Sequence, residues 1–63
     1  MPIIPNVIGQ RKSDATTYLN EAGFDDLDFQ GNGELVTDVE GANGEQPGQE
    51  APADKTVTVT CGN

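Results

Sequence analysis

Between Ala22 and Leu27 the spacing of apolar residues changes from a helical period to strict alternation, and this switch limits the folds open to the chain. Upstream, Ala15, Tyr18, Leu19 and Ala22 fall at i, i+3, i+4 and i+7, one continuous face of a helix. Ser13 has the hydroxyl of an N-cap, and Asp14 is suited to the positive end of the helix dipole. Gly23 suits the left-handed residue that ends a helix, with Phe24 folding back on the last turn. These signals predict a helix over Asp14–Ala22. Downstream, Leu27 and Phe29 alternate with Asp26, Asp28 and Gln30, as on a half-buried strand. The Asn-Gly pair in Gly31–Gly33 carries the signal of a tight hairpin, after which Leu35, Thr37 and Val39 resume the alternation. Gly41–Ala53, rich in Gly, Pro and Gln, reads as a long loop. Thr56–Cys61 is the clearest strand, with Val57, Val59 and Cys61 on one face and three threonines on the other. Ahead of the helix, Pro5 and Gly9 bracket a short extended lead-in.

The expected fold class is therefore α+β, one helix packed on a small three-stranded, mainly antiparallel sheet. The expected core is Val7, Ile8, Tyr18, Leu19, Phe24, Leu27, Phe29, Val57 and Val59. A chain of 63 residues that is 33% hydrophobic has material for one small core and one domain. The single Cys forms no internal disulfide and there is no His, so no metal site and no cofactor is expected. Cys61 reads as a small buried hydrophobe.

Several functions are disfavoured by the residue inventory. A formal charge of −8 repels phosphate backbones and anionic lipid, which argues against nucleic acid as a partner. No apolar run approaches the roughly 20 residues of a membrane span. Ser13 is the only serine and has no histidine base, so no nucleophilic enzyme is expected. Asp25, Asp26 and Asp28 lack the pattern of a calcium loop and read as a solvated strand face. Gly9–Asp14 is the one stretch with binding potential. Helix N-terminal amides with two cations beside them receive a carboxylate or phosphate, which makes Gln10, Arg11, Lys12 and Ser13 the candidate ligand-binding residues.

The order Pro5-Asn6-Val7-Ile8-Gly9, then Glu21-Ala22-Gly23-Phe24, then Gly48, Pro52 and the Thr/Val strand resembles a PASTA domain, across about residues 4–61. PASTA domains occur in penicillin-binding proteins and serine/threonine kinases of Gram-positive bacteria. The chain departs from the family pattern at Pro47, directly before Gly48, at Asp54-Lys55 and at Cys61. The resemblance implies a single non-catalytic domain over residues 1–63, a fragment of a larger membrane-anchored protein, lying on the cell-wall side. The implied partners are muropeptide or peptidoglycan, further PASTA copies, or an attached catalytic domain. A structural spacer or protein-interaction domain without a small-molecule ligand is the alternative. Muropeptide stems carry carboxylates, which suits the chemistry of Gln10–Ser13.

Overall fold

A computed structural model describes residues 1–62 of the protein. One helix, α1 (Lys12–Ala22), precedes three strands, β1 (Leu27–Gln30), β2 (Leu35–Glu40) and β3 (Val57–Gly62). The α+β class and the three-stranded sheet are as expected. The sheet order is β1-β3-β2, with β3 antiparallel to β2 and parallel to the shorter β1.

The Asn-Gly hairpin is a correction. β1 and β2 are consecutive but do not pair, because β3 enters between them and takes a ladder from each. Gly31–Glu34 therefore carries the chain across the width of a strand, a span that a two-residue turn does not bridge. Gly31 starts this crossing with a φ of 89°, and a Cβ there would collide with the backbone carbonyl of Cys61. Glycine is required on both counts.

The inward faces of β1 and β3 follow the expected parity. Leu27 lies beside Val57 and Phe29 beside Val59, the β1 pair half-buried and the valines fully buried. In β2 the parity is corrected. Val36 and Val39 are the buried residues, and Leu35 and Thr37 are exposed. A bulge is the reason: Val36 opposes Cys61 and Asp38 opposes Thr60, leaving Thr37 as the extra residue. One inserted residue turns two positions of opposite parity to the same side.

α1 packs on this apolar face. Ala15 and Leu19 are fully buried, while Tyr18 is 49% exposed, against expectation. Tyr18 precedes Leu19 by about 100° of helical rotation, and the sheet covers only a narrow stripe of the helix. Ile8 is also exposed, at 45%, because it occupies the first corner of a Val7–Gln10 turn closed by Gln10 N–H donating to the Val7 carbonyl (3.0 Å). The outward Thr16 and Thr17 hydroxyls donate to the carbonyls of Lys12 (2.9 Å) and Ser13 (3.2 Å), one turn back. The helix ends as expected. Gly23 has a φ of 109°, its amide donates to Asn20 (3.1 Å), and the Phe24 amide donates to Leu19 (2.9 Å). That double closure delivers Phe24 into the core, where it is fully buried.

Ile4 and Ala51 complete the core, both beyond the expected set. They meet because the opening segment is laced to the long loop. Ile4 N–H donates to Gln49 (2.9 Å), Gly48 N–H to Ile4 (2.8 Å), and Ala51 N–H to Pro2 (3.0 Å). Earlier in that loop the Glu45 carboxylate accepts the Asn43 amide (2.9 Å).

Two outcomes follow. Leu19→Ala removes a fully buried side chain from a small core and is expected to destabilise the domain by about 2–5 kcal/mol in a denaturant titration. Backbone N–H bonding, from Glu45 itself and then from Asn43, holds the Glu45 carboxyl below its ordinary 4.5, against a smaller opposing effect of desolvation. A depressed folded-state value means that this contribution is complete above the ordinary value and fades as pH falls through the lower, folded one. The Asn43 amide resonance should therefore titrate with a midpoint below 4.5, and Glu45→Gln should abolish that transition.

Candidate functional site

The helix entry is built by the backbone of β2. Gly9 N–H donates to the Val36 carbonyl (2.8 Å), Val36 N–H to the Gln10 carbonyl (2.9 Å), and Lys12 N–H to the Glu34 carbonyl (2.7 Å). With the Arg11–Leu35 bridge these bonds make a short antiparallel strap along the outer edge of β2. Arg11 keeps an extended conformation (φ −71°, ψ 154°) and is the N-cap, without any side-chain capping bond. The helix then starts at Lys12, two residues earlier than expected.

Ser13 as N-cap is thus corrected. The strap has already set the backbone, and the Ala15 N–H donates to the Arg11 carbonyl at 2.8 Å, so Ser13 stands within the first turn. Lys12, one of the four orphan donors at a helix start, is satisfied by Glu34 across the strap. Among the described residues, the backbone N–H groups of Ser13 and Asp14 find no backbone acceptor outside the helix. They are the groups that a bound anion would engage.

Arg11, Lys12 and Ser13 line one hollow of about 420 Å³, and Glu34 closes it from the β1–β2 connection. Three of the four expected binding residues therefore share a concave surface. The fourth, Gln10, contributes its carbonyl to the strap, and its exposed side chain is not part of the wall. The Lys12 ammonium lies 5.7 Å from the centroid of the Phe29 ring. This cation–π contact holds the charge toward β1. Glu34 was not legible as a site residue. It is distant from Arg11 along the chain, and only the pairing of the strap with β2 makes them neighbours.

Chemically, the hollow offers two cations, an exposed hydroxyl and the helix start on one side, and a carboxylate on the other. Such a surface suits a ligand that carries a carboxylate together with an amide or ammonium group. Asp14, in the first turn, competes for the same helix end. Among the described residues no cluster of His, Cys, Asp or Glu has the grouping of a metal centre.

No protein-family model matches the chain, and no curated protein matches it.

Hydrogen exchange reads the strap directly. The amides of Gly9, Lys12, Ala15 and Val36 are expected to be protected, and those of Ser13 and Asp14 to exchange at least tenfold faster than Ala15. Equal protection of Ser13 and Ala15 would show that the helix start is already occupied from within.

Proposed function

We propose that this domain is a non-catalytic binding module of the PASTA type, carried on the wall-facing side of a bacterial membrane protein. Its hollow takes the carboxylate end of a muropeptide stem. The observation that carries this reading is the convergence of Arg11, Lys12 and Ser13 on one concave surface at the helix start. Arg11 and Lys12 supply charge, the amides of Ser13 and Asp14 supply donors, and Glu34 accepts from stem amide or amine groups. The chemistry is recognition alone. The open sheet face and the −8 charge disfavour binding of polyanionic wall polymers, so attraction must be local to the hollow.

A second reading, a spacer without a small-molecule ligand, is favoured by the path of the chain. Pro2 is bonded to Ala51 and lies close to Gly23, at the end of the sheet where β3 begins, whereas Gly62 pairs with Leu35 at the other end. A chain that enters at one end of its central strand and leaves at the other suits a linear array.

An NMR titration with a soluble muropeptide separates the two. Binding by the hollow predicts shifts confined to Gln10–Asp14 and Glu34, saturating at about 100 µM to 1 mM, as one small patch allows. Arg11→Glu should abolish them, and Glu34→Gln should alter the preference among stems differing in their amino groups. Absence of shifts at millimolar ligand leaves the spacer.

A further inference from the structure

The chain contains two Asn-Gly pairs, Asn32-Gly33 and Asn43-Gly44, and the fold treats them in opposite ways. At the second pair both reacting groups are engaged. The Gly44 amide donates to the Gly41 carbonyl (3.0 Å), the Asn43 side-chain amide reaches the Glu45 carboxylate (3.5 Å), and the Asn43 backbone N–H is held by that carboxylate (2.9 Å). At the first pair, among the described residues, the Gly33 N–H makes no backbone bond and the Asn32 side chain makes no hydrogen bond. Asn32 is exposed, in an irregular crossing between strands that do not pair with each other.

We infer that Asn32 is a site of self-catalysed deamidation, and that the fold directs this chemistry to Asn32 and away from Asn43. The Gly33 backbone nitrogen loses its proton to solvent base and attacks Cγ of Asn32. The Cγ–Nδ2 bond breaks and nitrogen leaves as ammonia, giving a five-membered succinimide. Water then adds to either ring carbonyl. One opening yields aspartate at position 32, the other an isoaspartate with the backbone routed through the side chain. The net reaction consumes one water and releases one ammonia, without oxidant or cofactor. Because Gly33 has no side chain, the nitrogen is approached without steric hindrance.

The location gives the modification a consequence. The new carboxylate stands two residues from Glu34, on the connection that closes the hollow, and opposes the capture of an anion there. The isoaspartate form lengthens the crossing next to Gly31, where the backbone is already tight against Cys61. The deamidation itself is independent of whether the hollow holds a ligand.

The whole chain is incubated at mildly alkaline pH, in buffer and in concentrated urea, and both sites are followed by peptide mapping with mass spectrometry. In buffer, Asn32 should convert at least fivefold faster than Asn43, with both aspartate and isoaspartate formed. In urea the two rates should converge, since both are then Asn-Gly pairs in an open chain. Asn43 converting as fast as Asn32 in buffer, or the same rate ratio persisting in urea, would overturn the inference. Gly33 does not have a positive φ, so Gly33→Ala introduces no left-handed backbone strain. This change should slow conversion at Asn32 severalfold and leave Asn43 unaffected; an unchanged rate at Asn32 would overturn attack by the neighbouring nitrogen.

Discussion

β3 is hydrogen-bonded along both edges, parallel to β1 on one side and antiparallel to β2 on the other, and each remaining element takes its position from that insertion. Val57, Val59 and Cys61 form the middle row of the apolar face, with Leu27 and Phe29 on one flank and Val36 and Val39 on the other. Leu19 and Ala15 seal this row from above, and Phe24 follows them through the closure at Gly23. Because β1 and β2 do not pair, neither ladder forms until the last tenth of the chain arrives. The non-local pairings must bear the loop-closure entropy of a chain with a small core.

The second face of β3 manages charge. Thr58 stands between Asp28 and Glu40, and Thr60 between Gln30 and Asp38. Asp28 and Glu40 are thus held on opposite outer strands, about 10 Å apart, or two strand spacings. That distance is comparable to the screening length at physiological salt. A domain of charge −8 can therefore hold acidic residues on this face with no two carboxylates directly opposite each other on paired strands.

The candidate site depends on the outer edge of β2. Backbone bonds from Gly9, Gln10 and Lys12 to Val36 and Glu34 replace a side-chain cap, which leaves Ser13 free to face the hollow. The same strap covers part of an edge that would otherwise be open to pairing with another chain. A single device thus starts the helix, protects the sheet and brings Arg11 to Glu34.

Local order was legible in the residues themselves. The stripe Ala15, Leu19 and Ala22, the stop at Gly23-Phe24, and the alternations at Leu27–Phe29 and Val57–Cys61 are short-range patterns, decided by backbone sterics and by which face meets apolar neighbours. Gln10–Ser13 was equally visible, as cations beside a helix start. Contacts between distant segments decided the rest. Asn-Gly signalled a hairpin, but β3 entered between the flanking strands and paired with both. Ser13 was a competent cap, but the strap had already fixed the residue before it. Leu35 fitted an alternation that the bulge at Thr37 reversed, and Tyr18 and Ile8 fitted faces wider than so small a core can cover. Glu34 entered the site only through pairing across the sheet. Sequence alone determined the conformations with local causes; the tertiary structure decided which apolar residues found a partner and which polar groups were left facing the hollow, because both depend on burial shared between segments far apart in the chain.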